Sequence, residues 1–201
     1  FSLPGATRRR PLPAVLVTHP VLVGHHLDLE AGLQGHPDPV VHLVGGPGGS
    51  LLDDAAAYMS RGGSEILRKR DYIMFNQRGT HYAEQFLACP GRTEFQWELA
   101  EQELALEERN QAEVEFLLDC QDDLLDQGID LSAYNSAENA ADVNDLRIVL
   151  GYEQINLYGG SYGSLLAQHL MRDYPGRIRS AILDAVSPLR HEPNLLYKAQ
   201  A

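Results

Sequence analysis

The chain has no apolar run of about 18 residues, so no stretch could cross a membrane as a helix. Positive charge is scarce. Sixteen Lys and Arg face 28 Asp and Glu, a formal net charge of −12. That sign speaks against nucleic-acid binding, because attraction to phosphate needs the opposite one. Cysteine is scarce too: Cys89 and Cys120 are the two present, with no C-x-x-C pair and no Cys/His cluster of zinc spacing. Neither a D-x-D-x-D-G calcium loop nor a P-loop ending in Lys-Ser/Thr occurs. Internal repeats and low-complexity tracts are also missing. No metal and no cofactor is expected. What remains is an ordinary globular composition of 201 residues, 44% hydrophobic and 22% charged, enough for one sizeable core.

The negative charge is concentrated. Residues 92–130 hold eight Glu and five Asp against Arg92 and Arg109, a balance of −11. Val114, Leu117, Leu118, Gln121 and Leu125 recur there at helical spacing with acids between them. The segment is read as one or two helices with a solvated acidic face. Cys89 and Cys120 flank it. They could staple it in an oxidising compartment, or stand as two buried thiols; spacing alone leaves both open.

Residues 1–36 are read as an exposed arm, Arg8-Arg9-Arg10 included, followed by possible strands at Ala14–Val17 and Val21–Glu30. His19, His25, His26, His36 and His42 are read as scattered packed or solvated side chains in preference to a metal site. Residues 37–188 show strands alternating with helices. Val40–Val44 is a short apolar strand, followed by Gly45-Gly46-Pro47-Gly48-Gly49-Ser50 and a helix over Leu51–Lys69. Tyr72–Asn76 is a second strand, followed by Gln77-Arg78-Gly79-Thr80. Ser136 is expected to cap a helix that ends at Gly151. A strand over 154–158, a helix to about Tyr174 and a strand over Ile178–Asp184 follow. This alternation predicts an α/β fold with a mostly parallel sheet covered by helices, its ligand edge at the carboxyl ends of the strands. Residues 189–201 are read as the start of a further connection.

The strand-to-helix junction at 158–164 carries Gly159-Gly160-Ser161-Tyr162-Gly163, a G-x-S-x-G pentapeptide. Such a turn strains the serine backbone and lifts its hydroxyl over the sheet edge. Gly159 and Gly163 are required because side chains there would collide within the turn. Ser161 is therefore the candidate nucleophile of an acyl-transfer reaction. A hydroxyl needs donors for the oxyanion. The Tyr162 backbone N–H is the first candidate, and the loop beginning Gly45-Gly46 supplies the second.

Taken in order, Gly45–Ser50, Asn76–Thr80, Leu150-Gly151-Tyr152, Asn156–Gly163 and Leu183–Pro188 resemble the proline iminopeptidase and tripeptidyl aminopeptidase family of α/β-hydrolases. The resemblance covers roughly residues 40–188. It implies a serine hydrolase, often exported, that releases residues from the amino termini of peptides. It assigns Ser161 as nucleophile and Gly46 and Tyr162 as the oxyanion hole. It also implies a disulfide between Cys89 and Cys120. Secretion or a periplasmic location follows from that, with the cytoplasm as the alternative. A carboxylesterase shares the same elbow, and a binding or assembly module is the reading outside enzymes.

Three positions depart from the family pattern. Val44 replaces a frequent His before Gly-Gly-Pro. Asn76 replaces an Asp before Gln-Arg-Gly, which removes a charge beside Arg78. The family's catalytic Asp and His follow a helical cap, whereas this sequence ends at Ala201. After Ser161 only His169 and His191 occur. His169 lies eight residues along the next helix, about 12 Å away at 1.5 Å per residue, too far to act as base. Ser161, Asp184 and His191 have the right order but poor expected geometry, because Asp184 ends a strand and His191 lies on its exit loop. The expectation is a peptide or ester hydrolase completed by a C-terminal portion or second chain that carries the acid and the histidine.

Overall fold

The structure, a computed structural model, describes residues 38–53, 70–83 and 85–189 in full, and the backbone of 21–24. The expected arm, the strand at 14–17, most of the helix over 51–69, four of the five early histidines and the connection beyond 189 lie outside the described residues. Five strands form one sheet: β1 (Val21–Gly24), β2 (Val40–Leu43), β3 (Tyr72–Phe75), β4 (Ile155–Gly160) and β5 (Ile178–Asp184), in the order β1-β3-β2-β4-β5. β1 runs antiparallel to β3, and the other four are mutually parallel. The sheet is thus mostly parallel, as the alternation implies.

Register explains the burial. Ile73, Val41, Leu157 and Ala181 are paired across β3, β2, β4 and β5 and lie on one face. Helices α3 (Ser136–Val149) and α4 (Tyr162–Asp173) cover that face with Ala140, Val143, Leu146, Leu166, Ala167 and Leu170. The next row, Met74, His42, Tyr158 and Ile182, lies on the opposite face. Met74 is buried, with Leu51 and Tyr72 in a smaller cluster. Ile182, at the other end of the row, is 63% exposed. That face is covered over β3 and opens toward β5.

Helix α3 starts one residue earlier than the expected cap implies. Asn135, not Ser136, is the N-cap, and its side chain accepts from the Ala137 and Glu138 amides at 2.9 and 3.0 Å. Ser136 is already helical, and its hydroxyl pairs with the Tyr162 phenol at 2.9 Å. Leu150 caps the end of the helix, with Gly151 at φ 80 immediately after, the left-handed stop that glycine favours.

The acidic segment folds as two helices, α1 (Arg92–Ala100) and α2 (Leu106–Asp126). Cys89 and Cys120 are disulfide-bonded. Between them, α1 and α2 bury only Leu99 and Cys120. The apolar positions Val114, Leu117, Leu118 and Leu125 are all exposed. Their helical spacing is real, but among the described residues nothing covers the stripe.

Candidate functional site

The carboxyl ends of β2, β3, β4 and β5 share one edge, and the motif residues meet there. Ser161 occupies the N-cap of α4 with φ 52 and ψ −122, a conformation a non-glycine residue adopts only under constraint. The constraint is visible. A Cβ on Gly163 would sit 1.9 Å from the Leu43 carbonyl oxygen, and one on Gly159 would sit 2.4 Å from the Gly163 oxygen. β4, the turn and the start of α4 are therefore pressed together against the end of β2, and no side chain fits at either glycine.

Hydrogen bonds hold the turn from both sides. The Ser161 amide donates to the Asp184 carbonyl at 2.9 Å, tying the elbow to the end of β5. The Ser161 carbonyl accepts from the Ser164 amide at 2.9 Å and the Ser164 hydroxyl at 2.6 Å. Ser164 Oγ in turn accepts from the Ser187 amide at 2.8 Å. With its backbone fixed, the Ser161 side chain is left on the exposed side of the turn.

The glycine loop lies across the elbow. A Cβ on Gly45 would approach Ser161 Cβ to 3.0 Å and Oγ to 3.5 Å, so the backbone of this loop passes directly beside the hydroxyl. Gly46 follows at φ 117 and joins Pro47 through a cis peptide bond. The Tyr162 amide belongs to the first turn of α4, where amides have no acceptor within the helix. The positive end of the helix dipole lies at the same point. Chemically, the arrangement presents a hydroxyl to a substrate carbonyl from one side. Its backbone donors can receive the negative charge that attack would place on the carbonyl oxygen.

Asn76 and Gln77 fasten the glycine loop to the neighbouring turn. Asn76 is fully buried; its carboxamide donates to Ser50 Oγ and the His81 carbonyl, both at 2.8 Å, and accepts from the Leu51 amide at 3.1 Å. Gln77 donates to the Val44 carbonyl at 3.2 Å. The Asn at position 76 does not leave Arg78 unpaired. Arg78 forms a two-point pair with Asp142 on α3, at 2.7 and 2.6 Å, and donates to the Ala133 carbonyl at 2.6 Å. The Asp142 hydrogen bond, ahead of the smaller burial cost, holds the guanidinium above its ordinary range.

Three of the eight histidines lie among the described residues, and each is engaged away from Ser161. His42 is buried in β2 between Tyr72 and Tyr158, and desolvation pushes its imidazole down to about 4. His169 is on α4, paired with Arg172, and burial lowers its pKa. His81 faces Asp53 at 3.2 Å. Asp184, the formal acid of the internal triad, accepts from the Tyr158 phenol at 3.2 Å, while His191 lies outside the described residues. The described residues contain no group of three or more metal-ligating side chains. Sequence reasoning named Gly45 within its loop but missed Ser164 and Asp142. Ser164 becomes visible only once the segment after β5 is folded over the elbow. Asp142 lies 64 residues from its partner, with no local signal.

The family model described as alpha/beta hydrolase fold matches residues 38–201. Among solved structures, a marine microorganism esterase aligns with 90% of this chain and 48% of its own, at 12% identity and a TM-score of 0.51. A Vigna radiata epoxide hydrolase mutant aligns with 87% of this chain and 37% of its own, at 15% identity and 0.48. An alpha/beta hydrolase enzyme from a Medee basin deep-sea metagenome library aligns with 82% and 40%, at 14% and 0.48. The chain thus spans less than half the length of these structures. No curated protein matches it.

Proposed function

The chain belongs to the alpha/beta hydrolase fold family, and on that premise we propose that it is the nucleophile-bearing part of a serine hydrolase. The observation that carries this reading is the conformation of Ser161: an exposed hydroxyl on a strained turn, with the glycine loop beside it. In the proposed reaction Ser161 Oγ attacks the substrate carbonyl carbon and its proton passes to a histidine base. The Tyr162 and Gly46 amides hold the resulting oxyanion. Collapse of the tetrahedral intermediate breaks the bond to the leaving amine or alcohol, which departs with that proton. Water then attacks the acyl-enzyme by the same route in reverse, releasing a carboxylic acid and restoring the serine.

Because the three described histidines are engaged elsewhere, we assign the base and its supporting acid outside the described residues, to a C-terminal portion or second chain as the motif resemblance implies. The motif resemblance favours release of residues from peptide amino termini. An ester substrate is the second reading, since the elbow serves either leaving group. The Cys89–Cys120 bond supports an exported protein, because disulfides persist in oxidising compartments.

A fluorophosphonate probe tests the reading. The protein completed by its partner portion is expected to label at Ser161, and Ser161→Ala is expected to remove at least 99% of the signal, on the order of the 10³-fold or larger losses seen when a nucleophile is deleted. Absence of labelling in the completed protein would leave a binding or assembly module as the function.

A further inference from the structure

A second cluster sits on the same edge, beyond the glycine loop. Asp53 lies in the helical turn 51–53 that follows the loop, and its amide donates to Ser50 Oγ at 3.4 Å. One carboxylate oxygen accepts from the Tyr82 phenol, and the other lies 3.2 Å from His81 Nδ1. The rings of His81 and Tyr82 stack with centroids 4.0 Å apart, and Phe86 lies 5.7 Å from His81. Tyr82 and Phe86 are 51% and 52% exposed.

This arrangement is costly for a chain that merely needs a turn. Tyr82 has φ 67, a left-handed conformation that is strained for a bulky residue. The strain holds an aromatic ring at the surface, where its apolar area stays in contact with water. The nearby carboxylate is kept ionised, since hydrogen bonds from Tyr82 first and Ser50 second lower its pKa. A fixed anion beside exposed aromatic faces is the arrangement that attracts an organic cation, through charge at one side and ring quadrupoles at the others. The Asp53 side chain is 44% exposed, so a cation can approach its carboxylate from solvent.

We propose that Asp53, His81, Tyr82 and Phe86 form a recognition site for an ammonium group carried by the substrate. The inference deepens the hydrolase reading and rests on it only for taking the carrier as substrate. Placement supports that link. The cluster follows β2 and β3, and Ser161 follows β4, with β2 between β3 and β4 in the sheet. Strands are spaced about 5 Å apart, so the two sites are separated by roughly the length of a small ligand. The Asn76 carboxamide ties the end of the glycine loop, at Ser50, to the His81 carbonyl, and the start of the same loop, at Gly45, passes beside Ser161.

The test uses the full chain, tetramethylammonium chloride as cation and tert-butanol as an uncharged probe of similar shape. Sodium chloride at equal ionic strength is the control. Aromatic NMR resonances are followed above the usual histidine range, where imidazole is neutral. Tetramethylammonium is expected to shift the His81, Tyr82 and Phe86 ring signals saturably, and tert-butanol to leave them unmoved. Asp53→Asn is expected to weaken the affinity at least tenfold, and Phe86→Ala severalfold. Both side chains are exposed, so circular dichroism should confirm an unchanged fold. Absence of shifts at these rings, equal shifts with tert-butanol, or unaltered affinity in Asp53→Asn would overturn the proposal. Ser161 takes no part in this measurement, so failed fluorophosphonate labelling and failed cation binding remain separate results.

Discussion

The sheet around β2, β3 and β4 and the helical pair α1–α2 belong to one chain but hold their shape by different means. The sheet buries whole rows of side chains: Val41, Leu43, Ile73, Ile155 and Leu157 are at most 2% exposed. The helical pair buries Leu99 and Cys120 and leaves Trp97 and Leu106 at 70% and 75% exposure. Its internal contacts include the Cys89–Cys120 bond and a Phe95–Phe116 stack at 4.6 Å. The sheet therefore derives its stability from close packing, where every added atom counts. The pair depends on a covalent tie and on local helix contacts. The candidate residues Ser161, Gly46 and Tyr162 sit on the packed region.

The largest expected effect tests that packing at its tightest point. Gly163→Ala places a carbon 1.9 Å from the Leu43 oxygen, so β4 or α4 must shift. A loss of more than about 4 kcal/mol is expected, read as a collapse of the cooperative melting transition. A melt within a degree of the wild type would show that the elbow is not held by the sheet.

Reduction of the disulfide should act on the other region. Cys89 and Cys120 are 31 residues apart. Closing such a loop is worth about 3–4 kcal/mol in the chain-entropy view. Cys120→Ser is expected to raise hydrogen exchange across α1 and α2 while β2 and β4 keep their protection. Uniform loss of protection in the sheet would dissolve the contrast between the two regions.

His42 connects sheet packing to pH. Its imidazole is pushed from 6.5 down to about 4 by burial, so the unfolded chain binds this proton more readily than the folded one. The full stability is present above pH 6.5 and declines as pH falls toward 4, by up to about 3 kcal/mol. Denaturant midpoints measured across that window should slope upward with pH. The slope should flatten in His42→Gln once its lower baseline is subtracted.

The smallest effect belongs to the exposed stripe. Leu118→Glu should change stability by less than about 0.5 kcal/mol, because Leu118 is already 52% exposed. A drop of several kcal/mol would mean that the helical pair is packed after all.

The same contrast separates what was legible in the sequence from what was not. The elbow, the glycine loop and the strands themselves are encoded in short contiguous stretches, so local chemistry reveals them, whereas their order in the sheet is set by the fold. Periodicity also marked α2 correctly as a helix, but spacing cannot tell whether an apolar stripe has a partner. The Arg78–Asp142 pair depends on α3 passing the turn after β3, a relation fixed by the fold. The cap of α3 fell to Asn135 because Asn and Ser are both good caps one residue apart, and Ser136 faces the Tyr162 phenol.

The buried Asn76 carboxamide has a consequence for motion at the sheet edge. Its donors grip Ser50 and His81 while its acceptor holds the Leu51 amide. Two surface loops that could otherwise wander separately share one anchor in the protein's interior. The Leu51 amide, although outside the sheet, should then exchange with solvent on the slow timescale of the strands. A ligand that touches Ser50 and His81 then meets two loops already joined and loses little affinity to ordering them.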